Sequence, residues 1–191
     1  MRFVASLSCL FALALVSCVR LCAEPPRRTE AVGHFGSLKY GGDEGYEGDS
    51  SAYGFTITGV FRPRWAIEVD SVWGNRDTYD SQGLGSSASR SITSAHIVYR
   101  RGSERVYWFA GVGPGFQREK SRFRGLFQNP GEPAPVVREF NSTDSRFAPL
   151  GYKTGVVFAP AKHVIIRGEV LFQHAFVLPN VMARIGVGIR F

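Results

Sequence analysis

Apolar residues recur at every second position through most of the chain beyond residue 30. At the end, Ile185, Val187, Ile189 and Phe191 alternate with Arg184, Gly186, Gly188 and Arg190. Successive side chains of an extended strand point to opposite sides, so this period makes one greasy face and one polar or small face. Tyr53, Phe55, Ile57 and Phe61 likewise share a side against Ala52, Gly54, Thr56 and Thr58. Trp65, Ile67, Val69 and Trp73 oppose Ala66, Glu68, Asp70 and Gly74, and Val164, Ile166, Val170 and Phe172 oppose Arg167, Glu169 and Gln173. Val106, Trp108, Ala110, Val112 and Phe116 stand against Gly111, Gly113, Gly115 and Gln117. The weakest segment sets Ile97 and Tyr99 against His96 and Val98.

The pattern predicts eight strands, near 32–40, 52–61, 64–74, 92–101, 105–117, 147–158, 163–173 and 182–191. Each has the length that a tilted membrane-spanning strand requires. The connections alternate. Arg62-Pro63, Gly102-Ser103-Glu104 and the four residues Ala159 to Lys162 are tight, whereas 41–51, 75–91, 118–146 and 174–181 are long. A soluble sandwich would scatter its loop lengths. The expected fold is therefore all-β: an eight-stranded antiparallel up-and-down transmembrane barrel with short periplasmic turns and longer extracellular loops.

In such a barrel the greasy face meets lipid and the polar face fills the interior, which eight strands leave just wide enough for side chains. Glu68, Asp70, Lys153, Arg167, Glu169, Arg184 and Arg190 are then expected together in one interior network, joined by His96. Buried charges of this kind must pair and share hydrogen bonds. Tyr53, Phe61, Trp65 and Trp73 stand at strand ends, where an aromatic belt meets the headgroup layers. Gly113-Pro114-Gly115 marks a bulge or the exit from the membrane, because proline has no amide to donate.

Arg2 followed by the apolar run Phe3 to Val19 reads as a secretory signal, giving residues 1–23 as signal peptide, 24–31 as a short periplasmic leader and 32–191 as the barrel. Leu15-Val16-Ser17-Cys18 resembles a lipoprotein processing box and offers acylation of Cys18 as an alternative. Cys9, Cys18 and Cys22 all fall in this segment, so cleavage after Ala23 leaves about 168 residues without a thiol. The net charge of +7 falls by two with Arg2 and Arg20. Export and the lack of a basic run interleaved with aromatics argue against nucleic acid.

Phe109-Ala110-Gly111-Val112-Gly113-Pro114-Gly115-Phe116, Ile166-Arg167-Gly168-Glu169-Val170 and the closing Gly186 to Phe191 resemble the small eight-stranded outer-membrane barrels of the OmpA and OmpX type. The resemblance covers nearly all of residues 30–191 and implies the outer membrane as location. It implies outer-membrane lipid and lipopolysaccharide as surroundings, a monomeric state, and Val187, Ile189 and Phe191 as the signal that the barrel assembly machinery reads. No peptidoglycan-binding domain is expected after Phe191. Members serve structural, adhesive or unassigned envelope roles.

Candidate chemistry is sparse. His34, His96, His163 and His174 stand in no metal-ligand spacing. Phe172-Gln173-His174-Ala175-Phe176 with Pro179-Asn180 resembles the catalytic region of lipid A deacylase barrels, but Phe176 occupies the position of that family's nucleophilic serine, and a phenyl ring cannot attack. The acids Asp43, Glu44, Glu47 and Asp49 lack a calcium-loop pattern. The stretch 118–146 carries Lys120, Arg122, Arg124, Arg138 and Arg146, which suit lipopolysaccharide phosphates or a surface partner. The expectation is a non-enzymatic barrel with a structural or surface-interaction role and no cofactor. A deacylase-like enzyme and a narrow channel are the alternatives.

Overall fold

The computed structural model describes residues 28–39, 49–80, 82–128, 134–174 and 180–191. Eight strands run β1 (Glu30–Lys39), β2 (Asp49–Arg62), β3 (Trp65–Tyr79), β4 (Gly85–Gly102), β5 (Val106–Phe127), β6 (Val136–Phe158), β7 (Val164–His174) and β8 (Asn180–Arg190). Each pairs antiparallel with its neighbours in sequence, and β1 pairs with β8 to close the barrel. Closure removes the free edges that lipid would not tolerate. Among the described residues there is no helix.

The alternation in sequence becomes a partition in space. Phe35, Ile67, Ile185 and Val187 are more than half exposed on the outside, whereas Arg167, Thr56 and Asp70 are fully sealed within. Inside, two apolar layers sandwich the charges. Ala66, Val98, Tyr107, Phe109, Val157 and Ile165 fill the end nearer the tight turns. Leu38, Ala52, Val72, Ile92, Leu171 and Met182 fill the end nearer the loops.

The structure corrects the expected boundaries in two places. Glu30 and Ala31, assigned to the leader, already belong to β1 and pair with Arg190 and Ile189 of β8. The segments 75–91 and 118–146, expected as loops, are mostly strand. β3 to β6 continue past the last β2–β3 pair, Ala52↔Gly74, as a tall four-stranded sheet. Trp73 is therefore not the end of its strand. The rest of the predicted order, and the tight turns after β2, β4 and β6, are as the pattern indicated. Between Gly113 and Gly115 the β5–β6 register shifts by one, with Pro149 and Leu150 of β6 set against Pro114 alone. The extra residue is therefore on β6 rather than in the Gly-Pro-Gly segment, and β4 leaves Ala95 and His96 unpaired to β5 at this level. Residues 1–23, Phe176 and the acids Asp43, Glu44 and Glu47 lie outside the described residues.

Candidate functional site

The interior charges do not form one set. Six of the seven expected residues meet at mid-height. Arg167 on β7 donates from Nη1 and Nη2 to Glu68 on β3 at 2.9 and 2.6 Å, and from Nε to Glu169 at 2.5 Å. Lys153 on β6 reaches Asp70 and Glu68, each at 2.5 Å. Arg184 on β8 bridges Asp70 and Glu169. Three carboxylates thus face three cations from four strands. Charge-assisted, partly bidentate bonds of this sort are what make buried ions tolerable.

Neutral groups occupy the remaining lone pairs. Thr58 donates to Glu68 at 3.0 Å and Thr56 to Asp70 at 2.5 Å, while His34 Nε2 lies 2.8 Å from Thr56. His96 Nδ1 stands 3.2 Å from Asp70, so it joins the cluster as its position in the pattern suggested. The Arg167 guanidinium also lies 3.9 Å over the Phe109 ring.

Arg190, expected in this network, belongs to a separate cluster at the turn end. It donates from Nε to Glu30 at 3.0 Å, and Arg100 donates to the same oxygen at 3.0 Å. Tyr107 donates to the other oxygen of Glu30 at 2.5 Å and lies beneath the Arg100 guanidinium at 4.3 Å. The Phe109 layer separates the two groups. A third cluster, at the loop end, joins Arg90 to Glu119 and to Asn180, which donates to Gln117 at 2.7 Å. Sequence reading placed Gln117 on the interior face but missed Glu30, Arg100, Arg90 and Asn180 as interior polar groups. The signal was there for two of them. Glu30 continues the Val32, His34, Leu38 face, and Arg100 continues the Ser94, His96, Val98 face.

The expected belt residues lie on the outer wall. Tyr53 stacks on Trp73 with ring centroids 5.9 Å apart, where the tall sheet rises beyond the barrel. Trp65 meets Tyr99 edge-on at 5.2 Å, and Tyr99 lies 5.9 Å from Trp108 at the turn end. Phe61 is exposed at a second register shift, between Val60 and Arg62 where β2 pairs with β3. Val187, Ile189 and Phe191 all point outward, and the Phe191 amide donates to the Thr29 carbonyl at 3.0 Å.

His174 Nε2 lies 2.6 Å from the Tyr152 hydroxyl, and among the described residues no carboxylate pairs with it. Among the described residues no group of three His, Cys, Asp or Glu side chains is arranged to hold a metal ion.

A closed ring of eight antiparallel strands, apolar outside and charged within, is the fold of the small eight-stranded outer-membrane barrels. Ail, the attachment invasion locus protein of Yersinia pestis, is similar at 16% identity over 86% of this chain and 97% of its own, with TM-score 0.56. OprG from Pseudomonas aeruginosa is similar at 11% identity over 88% and 98%, with TM-score 0.58. Neisserial surface protein A is similar at 12% over 85% and 94%, with TM-score 0.57. Ail has also been solved in complex with the heparin analogue sucrose octasulfate. No protein-family model and no curated protein sequence matches the chain.

Proposed function

We propose that the chain is a barrel of the bacterial outer membrane, without catalytic activity, whose role is structural or one of surface interaction. The observation that carries this reading is the partition of side chains: Ile67, Val187 and Ile185 are more than half exposed, while Glu68, Arg167 and Arg184 are at most 5% exposed. Only a solvent of acyl chains rewards that arrangement. The tall β3–β6 sheet is then the part that stands outside the bilayer and meets other molecules.

The interior layers disfavour a channel, because buried Phe109, Tyr107, Leu171 and Met182 cap the charged cluster above and below. His174 has a tyrosine partner where an acyl-transfer base would need a nucleophile. Membrane fractionation with a heat-modifiability gel tests the reading. The protein should fractionate with the outer membrane and migrate faster before boiling than after. Extraction without detergent would refute it. Lipid A acylation that changes on His174→Ala would restore the enzyme, and discrete openings in a planar bilayer would restore the channel.

A further inference from the structure

The outward face of the tall sheet gathers four cations on β5 against two acids, Asp77 on β3 and Glu139 on β6. On β5, Arg118, Lys120, Arg122 and Arg124 occupy alternate positions, all exposed, and all on the outward side that Val112 and Phe116 occupy lower down. The intervening Glu119 pairs inward with Arg90, and its cross-strand neighbour Asp144 pairs with Arg146. A merely solvated ribbon gains nothing from collecting four cations on one side, since like charges at alternate strand positions repel. Something anionic on that side would repay the arrangement.

The register fixes the height of this ladder. Trp73, Ser91, Arg118 and Ser145 form one cross-strand row, so the lowest cation stands level with the belt tryptophan. Just beneath it Phe116 and Phe147 sit opposite one another, 50% and 63% exposed. The next row up is Asn75, Ser89, Lys120 and Thr143, and the one above is Asp77, Ser87, Arg122 and Asn141. These two rows line a shallow recess of about 440 Å³. Successive cations lie roughly 7 Å apart along the strand. Arg122 is engaged by Glu139 at 2.6 Å, but Arg118 and Lys120 make no ion pair among the described residues.

We infer that the outward face of β3–β6 is a binding site for a phosphorylated glycolipid of the outer leaflet, held by Arg118 and Lys120. This rests on the membrane reading above. Acyl chains pack on Phe116, Phe147 and Trp73. Sugar phosphates meet the two cations at headgroup height, where charge-assisted bonds to phosphate are strong. Sugar hydroxyls meet Ser87, Ser89, Asn141 and Thr143. A soluble polyanion would need the charges but not their alignment with the belt and the aromatic pair.

The test uses the folded full-length protein in phospholipid nanodiscs, titrated with bis-phosphorylated rough lipopolysaccharide. The wild type should prefer it to phosphatidylglycerol, and Arg118→Gln with Lys120→Gln should weaken binding about tenfold. Each single variant should fall between. Arg138→Gln, on the opposite face of the ribbon, should bind as the wild type does. Equal binding by the double variant, or no preference over phosphatidylglycerol, overturns the site. Binding of sucrose octasulfate that depends on Arg118 and Lys120, when lipopolysaccharide binding does not, reassigns the ladder to soluble polyanions. The heat-modifiability gel, run on every variant, separates the two levels. A wild type that never partitions into the outer membrane defeats the membrane reading, whereas folded variants with unchanged affinity defeat the glycolipid site alone.

Discussion

Arg167 and Glu68 lie 99 residues apart in sequence, yet they meet through two parallel hydrogen bonds across the middle of the barrel. The guanidinium fork fits the carboxylate, and the Phe109 ring covers its face. Removing one partner leaves a buried charge uncompensated, which costs far more than the pair is worth. Glu68→Ala should therefore destabilise the barrel by about 3–5 kcal/mol. Adding Arg167→Met should recover much of that loss. Urea unfolding in lipid vesicles, followed by tryptophan fluorescence, measures both, and equal stability of Glu68→Ala and wild type would contradict the pairing.

Two glycines on neighbouring strands should respond oppositely to a methyl group. A Cβ at Gly186 would stand 2.5 Å from the Gly33 carbonyl oxygen and 2.5 Å from the His34 ring, at the seam between β1 and β8. A Cβ at Gly168 meets nothing within 4 Å. Gly186→Ala should cost about 1–3 kcal/mol through overpacking. Gly168→Ala should stay within about 0.5 kcal/mol of wild type. The same unfolding curves report both.

Charge on the outer wall should be penalised by depth. Ile185 is 62% exposed at the middle of β8. Ile185→Arg should cost about 2–4 kcal/mol, the penalty for a cation near the bilayer midplane. Phe191→Arg, just past the end of β8, should cost clearly less. Refolding into vesicles compares the two, and similar penalties would mean that no depth gradient surrounds the barrel.

Acid should loosen the tip of the ribbon before the barrel. Arg122, at 2.6 Å, and Asn141, at 3.1 Å, donate to Glu139 and hold its carboxyl below its usual value of 4.5. Arg146 holds Asp144 below its usual value of 3.8. A carboxylate whose pKa is depressed in the folded ribbon contributes stability that is complete above the ordinary carboxylate range. That contribution is lost as pH falls through the lower folded values. Both groups are exposed, so the effect is small and salt weakens it. Amide resonances of 121–127 and 136–144 should broaden or shift as pH drops below roughly 4, and less so in high salt. Amides of β7 and β8 should hold. A tip indifferent to pH would remove these pairs from the solution structure.

The parts legible in the sequence were those where one face of a strand met hydrocarbon. There the contrast between Ile67 and Glu68, or Val187 and Gly188, is large, and period two stands out. Beyond the belt both faces of the strand meet water, so Ser87, Ser89, Lys120 and Thr143 carry no hydrophobic contrast. The upper parts of the 22-residue β5 and the 23-residue β6, residues 118–127 and 136–146, read as loop for that reason. The interior cluster was visible in its composition but not in its layering. That Arg190 sits with Glu30 follows from depth: both lie at the turn end, below the Tyr107 and Phe109 rings, whereas the charges of Asp70 and Glu169 lie above. Alternation reports which side a residue faces and is blind to height along the barrel.

Glu30 stands on the first strand and Arg190 on the last, so the partner set of this acid, begun by Arg100 and Tyr107, is completed only across the closing seam. A ring with β8 still unpaired would leave that acid facing Arg100 beside an open slot, through which solvent could enter and loosen the whole lower plug. Sealing the cylinder and satisfying this carboxylate are thus a single event.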